Sequence, residues 1–297
     1  MFSVYIARVL LVFSTFLLGL QILTLPLFII HKEYRSMICY RQMVSIGMFE
    51  SCILLLDVLF SFATCFDINY FLLFERICGS IYAASFMLLI FQQACLAANR
   101  LIVVIKTYRL SSIEYSESKT EKFLFNSLIV ASWMLALLYV CAASNGNSGF
   151  VYDRSTLAFN EYEDIEERKL MKRFDVRGVI VLLPMPITTL AIYGVVAGLL
   201  IKMRSENNKN SVLRTSLLKP EEYRLLVQSI FMFFILNVTL LTWFLKSWIE
   251  QTSDYKIFKP LWMLTFTCIC GLNPVIYLCM SSKLRKQLLA FIRWNKF

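Results

Sequence analysis

Apolar residues in this chain run for about 20 positions at a time, the length that carries an α-helix across ~30 Å of hydrocarbon. Seven such runs are present, at residues 9–30, 43–66, 77–99, 123–143, 178–201, 225–245 and 261–280. Charged or polar segments bound the last five sharply. The first run follows Arg8, but it is too long for a signal-peptide core and no small-x-small cleavage site follows it. It counts as a span. The pattern predicts an all-α membrane protein, a seven-transmembrane helix bundle forming a single domain over residues 1–297. Composition agrees: 58% of residues are hydrophobic and 15% aromatic, and the mean hydropathy is +0.64. A soluble domain of this length could not bury that much apolar surface.

Basic residues fix the orientation. Lys32, Arg35 and Arg41, then Arg100, Lys106, Arg109, Lys119 and Lys122, then Lys202, Arg204, Lys209, Arg214, Lys219 and Arg224, fall on one side, together with the tail's Lys283, Arg285, Lys286, Arg293 and Lys296. That side is expected to be cytoplasmic, with the N-terminus outside. The net charge of +10 is then mostly a topology signal, and no soluble surface exists on which it would serve nucleic acid. Of the nine cysteines, Cys65, Cys78 and Cys141 fall near outer span ends, where a disulfide could persist.

Two connections are longer. The outer segment opens with Asn145-Gly146-Asn147-Ser148-Gly149, a loop by composition. Asn160 and Glu163 then have capping-box spacing, and acids precede bases through Arg173. This charge order predicts a short exposed helix over the outer mouth, with a solvated loop as the alternative. The inner segment from Lys202 to Glu222 reads as a flexible basic loop stopped by Pro220.

Polar groups inside the spans are few and costly. Asp57 lies mid-way along span two. Glu50, two turns nearer the cytoplasm, is expected to reach water. Asn273 is expected to lie level with Asp57 and offer it an amide, or else a protonated Asp57 simply ties two helices together. Gly271-Leu272-Asn273-Pro274-Val275-Ile276-Tyr277 closes span seven with a helix breaker, which marks a moving part. Span three ends in Asn99-Arg100, at the expected depth of Glu221 and Glu222. An ion pair between Arg100 and either glutamate would latch spans three and six; otherwise Arg100 is a snorkelling anchor. In the tail, Leu284, Leu288, Phe291 and Ile292 form an apolar stripe with Lys283, Lys286 and Arg293 off it. It predicts a short amphipathic interfacial helix over 282–294 lying on anionic lipid.

These residues, with Trp133 in span four and Pro184 and Pro186 in span five, carry a resemblance to the rhodopsin-like G-protein-coupled receptors. Asn99-Arg100 and the segment Glu222-Tyr223-Arg224-Leu225-Leu226-Val227-Gln228-Ser229 resemble the nematode chemosensory serpentine receptors of classes x, t and v. The resemblance implies a multi-pass plasma-membrane receptor, in sensory cilia by analogy, that binds a small molecule in the outer half of the bundle. Its partners would be that ligand, a heterotrimeric G protein and membrane lipids, with a receptor dimer left open. Switch residues carried over are Asn99, Arg100, Glu221, Glu222, Asn273, Pro274 and Tyr277. The inward ligand-binding candidates are Tyr82, Phe86, Trp243, Trp262 and Phe266, and their aromatic walls suit a neutral molecule.

The chain departs from the family pattern in several places. The second outer loop has no cysteine, which leaves Cys65 or Cys141 as nearby partners for Cys78. Span six lacks its proline. Tyr82 stands where amine receptors carry aspartate, and Thr267 where opsins carry the retinal lysine, so neither a charged amine nor a photopigment is expected. The rival reading is a seven-span transporter or ligand-gated channel subunit. That would want repeats or several intramembrane charges, and Asp57 is nearly alone. A zinc hydrolase would need more ligands than the single His31 provides. No enzyme activity, cofactor or metal is expected.

Overall fold

In a computed structural model, the described residues are 2–110, 118–144, 150–161, 184–209, scattered positions within 227–238, and 255–294. Five long apolar helices follow the predicted spans: α1 (Phe2–Ile30), α3 (Ile38–Cys65), α4 (Leu72–Leu110), α5 (Lys119–Ser144) and α6 (Pro184–Lys209). A five-residue helix, α2 (Lys32–Ser36), joins α1 to α3. Span seven is broken into α7 (Tyr255–Cys270) and α8 (Leu272–Met280), bent by 40°, and α9 (Ser282–Trp294) follows. Of the predicted sixth span, the positions described between 227 and 238 are helical.

The packing makes α4 the central helix. It lies against α3, α5 and α6, while α1 runs along α3 and also meets α7. The outward faces of α5 and α6 carry Leu135, Leu137, Leu138, Ile187 and Leu190 exposed, as helices on a lipid-facing rim require. Ser118 and Glu121 start α5 with a reciprocal capping box, Ser118 N–H to Oε2 at 2.9 Å and Glu121 N–H to Oγ at 3.2 Å. Glu121 also pairs with Lys106 at the inner end of α4.

The break in span seven has a covalent cause. Pro274 has no N–H for the carbonyl of Cys270, so the ladder is interrupted there. Gly271 occupies the break and lets α1 come close. At the inner end of span seven, Arg285 Nη1 of α9 donates to the carbonyls of Leu278 (2.8 Å) and Cys279 (2.7 Å), which satisfies the last turn of α8.

The predicted outer helix is overturned at its start. Asn160 and Glu161 belong to a strand, β2 (Ala158–Glu161), which pairs antiparallel with β1 (Phe150–Asp153). The remainder of the predicted helix lies outside the described residues. On the inner side α6 continues as helix to Lys209, which removes the first part of the expected flexible loop.

Candidate functional site

Three polar or aromatic layers are stacked along the bundle. The outermost is aromatic. Phe266 on α7 is fully buried and collects three neighbours: Trp262 stacked at 5.5 Å, Phe86 edge-on at 5.3 Å and Tyr82 at 6.3 Å. Tyr82 and Phe86 are one helical turn apart on α4, and so are Trp262 and Phe266 on α7, so each pair presents one face. Four of the five residues expected to bind ligand are thus brought together. Trp243 lies outside the described residues.

The β1–β2 hairpin roofs this layer. Phe159 lies 5.1 Å from Tyr82 and 4.9 Å from Phe60, and Tyr152 lies 4.7 Å from Phe60. Ala158 is buried in the same cluster as Trp262 and Met263. Leu157, at the turn, is buried against Ile6, Ala7 and Leu10 of α1. Its φ of 53° is unfavourable for a leucine by roughly 1–2 kcal/mol, and burying the side chain offsets this by about 2 kcal/mol. Gly79 on α4 permits the approach: a Cβ there would lie 2.5 Å from Phe150 Cβ and 2.7 Å from its carbonyl oxygen.

Asp153 builds the turn. Its Oδ1 accepts from Ser155 N–H at 2.8 Å and Ser155 Oγ at 2.7 Å, and its Oδ2 from Thr156 Oγ1 at 2.8 Å. Burial pushes the carboxyl upward, but these hydrogen bonds and the charge of Lys259 outweigh it and hold the carboxyl below its ordinary value. Burial raises the Tyr152 phenol. A depressed carboxylate contributes stability that is complete above its unfolded pKa and lost as pH falls through the folded one. The hairpin is therefore expected to stay seated from neutral pH down to the usual aspartate range, and to loosen progressively as the pH falls below it. A red shift of Trp262 fluorescence on acidification, absent in Asp153→Asn, would report this. An identical shift in both proteins would exclude Asp153 as the cause.

The middle layer differs from expectation. Asn273 donates to Glu50 rather than Asp57, and Gln21 Nε2 on α1 donates to the other Glu50 oxygen at 3.0 Å and to the Gly47 carbonyl at 3.1 Å. Glu50 is buried and does not reach water. Asp57 instead accepts from Thr267 Oγ1 at 2.6 Å. The reason is helical register. Glu50 and Asp57 are seven residues apart on one face of α3, two turns in depth. Thr267 lies above the break at Gly271 and Asn273 below it, so each carboxyl meets a different partner.

The inner layer holds the Asn99-Arg100 pair. Arg100 is only 4% exposed and therefore does not snorkel, because α4 continues ten residues past it. Arg100 Nη2 donates to Cys39 Sγ and Asn99 Nδ2 to Gln42 Oε1 at 3.0 Å, both on α3. Glu221 and Glu222 lie outside the described residues, and so does the latch expected with them. Tyr277 is buried against Phe28 at 5.3 Å. Trp133 stacks on Phe49 at 4.3 Å and donates to Ser45 Oγ at 3.2 Å, joining α5 to α3. All nine cysteines are free thiols, so Cys78 is paired with neither Cys65 nor Cys141. The tail stripe also has a different neighbour from the one expected. Leu284 is buried in the inner core, and Leu288 and Phe291 pack against it, so much of that stripe faces protein.

The chain matches the model of the serpentine type seven-transmembrane G-protein-coupled chemoreceptors, Srx, over residues 13–278. It belongs to the Srx chemoreceptor family. Class x is thereby selected from the three nematode classes that the sequence resembles. The fold of this Srx receptor is that of the rhodopsin seven-helix bundle. Superposition on the crystal structure of squid rhodopsin gives a TM-score of 0.72 at 13% sequence identity, covering 99% of this chain and 86% of that one. Among curated proteins, none matches the sequence. The receptor is a multi-pass membrane protein, and its family is one of receptors rather than enzymes.

Proposed function

We propose that this Srx receptor binds a small, mainly apolar molecule in the outer aromatic layer and, in response, activates a heterotrimeric G protein at its cytoplasmic face. The observation that carries the reading is the convergence of Tyr82, Phe86 and Trp262 on Phe266 beneath the hairpin. Such a wall offers area and shape to an apolar body, with the Tyr82 hydroxyl close by for orientation. Below it, Asp57–Thr267 and Glu50–Asn273 bracket the break in span seven. A shift of α7 caused by a ligand on Trp262 and Phe266 must therefore rearrange buried hydrogen bonds before it reaches Arg100. Such bonds are either made or broken, which gives the bundle discrete states rather than a continuum. Residence in the plasma membrane of a sensory cell, and contact of α9 with anionic lipid, complete the reading.

The test needs no ligand if coupling is measurable at rest. Association of the receptor with Gα subunits in membranes, dissolved by a GTP analogue and weakened about tenfold by Arg100→Ala at matched surface expression, is the expected result. Association that survives both the nucleotide and the substitution would count against the reading.

A further inference from the structure

Lys259 is 3% exposed and lies on α7 three, four and seven residues before Trp262, Met263 and Phe266, on the same helix face as the aromatic layer. An ammonium group with so little access to water needs an anion beside it. The hairpin carries one nearby. Asp153 is the register partner of Ala158, and Ala158 is buried against Trp262 and Met263. The two charges are close enough for Lys259 to help hold the Asp153 carboxyl ionised. Asp153, however, belongs to a two-stranded hairpin, an element marginal by itself and seated by packing. Its carboxylate is tethered but exchangeable, whereas Lys259 is buried on a long helix. The site therefore has an apolar floor of aromatic rings and a cation at its upper end, whose charge reaches the Asp153 carboxylate of the hairpin.

We propose, building on the outer-site reading above, that Lys259 recognises the acidic end of the ligand, an amphipathic carboxylate whose apolar body lies against Trp262 and Phe266 and whose charge replaces that of Asp153. The neutral ligand expected from the sequence is thereby revised. That expectation weighed only the aromatic positions, and Lys259 falls two residues before the seventh apolar run. Displacing Asp153 also unseats the hairpin, so a carboxylate both fills the site and loosens its roof.

The test uses the full-length receptor in lipid nanodiscs and two matched probe pairs, octanoate with octanol and 3-phenylpropionate with 3-phenylpropanol, with affinity read from the ligand-dependent rise in thermal midpoint. Each acid is expected to bind at least about tenfold more tightly than its alcohol. Lys259→Met should weaken the acids roughly 10- to 100-fold, the range for a lost charged hydrogen bond, and leave the alcohols unchanged; Lys259→Arg should keep most of the preference. Asp153→Asn should tighten the acids severalfold, because it removes the internal competitor. A merely structural role for Lys259 would not produce that gain. Equal affinities of acid and alcohol, acid binding indifferent to Lys259→Met, or no binding of either probe, would overturn the proposal. Phe266→Ala separates the two readings. If it weakens acid and alcohol alike while Lys259→Met weakens neither, the aromatic site stands and the carboxylate inference falls. If Phe266→Ala affects neither probe, the aromatic site falls and the inference built on it falls too.

Discussion

Glu50→Leu is expected to lower the stability of the receptor by about 2–5 kcal/mol. The substitution removes the acceptor shared by the buried amides of Gln21 and Asn273; Gln21 keeps its bond to the Gly47 carbonyl, and each N–H left without a partner costs about 1–3 kcal/mol. Glu50→Gln keeps one carbonyl acceptor and should cost roughly 1 kcal/mol, since only one of the two donors then loses its partner. Thermal unfolding in nanodiscs measures both. The leucine also probes the joint between α1, α3 and α8, because Gln21, Glu50 and Asn273 come from those three helices. A Glu50→Leu receptor as stable as wild type would mean that the three helices are held by packing alone.

Gly271→Ala should be nearly as damaging, for a steric reason. The added Cβ would lie 2.5 Å from both Cβ and Cδ1 of Leu17 and 2.6 Å from its Cγ. A side-chain tip can swing away, but a Cβ moves only with its backbone, so α1 and the break in span seven must separate. Forcing a group into such a contact costs about 1–3 kcal/mol. The clash predicts an unusual rescue series. Leu17→Ala removes the outer atoms but keeps the Cβ, so it should relieve only part of the loss. Leu17→Gly should relieve the clash fully, against about 1 kcal/mol of helix propensity. If Leu17→Ala restored Gly271→Ala completely, the Cβ–Cβ approach would not be the cause. Because the break lies between Thr267 and Asn273, the same variant should also reduce resting association with Gα.

Much of this architecture was legible in the apolar runs. A lipid solvent forces long apolar helices with satisfied backbones, so length and hydropathy alone located α1, α3, α4, α5, α6 and the two halves of span seven. The four aromatic positions on α4 and α7 were found for a related reason: residues one turn apart share a face whatever the packing. The pairing of polar groups was not legible. Which carboxyl Asn273 meets depends on how far span seven unwinds at Gly271, and a shift of two helical turns in depth exchanges Asp57 for Glu50. Arg100 was misplaced because the apolar run ends near it while the helix does not; α4 carries on as a charged, amphipathic segment through Lys106. The hairpin was missed although a signal existed. Phe150-Val151-Tyr152 and Leu157-Ala158-Phe159 flank Asp153-Arg154-Ser155-Thr156, short apolar arms around a turn-forming aspartate. The stronger charge order after Asn160 drew the reading to a helix.

The inner end of the molecule is fastened unevenly. Lys283 pairs with Glu33, and the Tyr34 hydroxyl donates to Gln287 Oε1 at 2.9 Å, which clasps α9 to α2. Arg41 Nη1 donates to Asn126 Oδ1 at 3.2 Å, which binds α5 to α3. The seam between α4, α6 and the helical positions near Phe233 is filled by Ala97, Val104, Tyr193, Val196, Met203 and Phe233. Dispersion contacts of that kind keep most of their strength when surfaces slide by a fraction of an ångström, whereas a hydrogen bond weakens steeply once it is bent. Among the described residues the bundle thus has one flank clasped by hydrogen bonds and an ion pair and another seated mainly on apolar packing, and strain delivered from the outer face is relieved most readily on the apolar side.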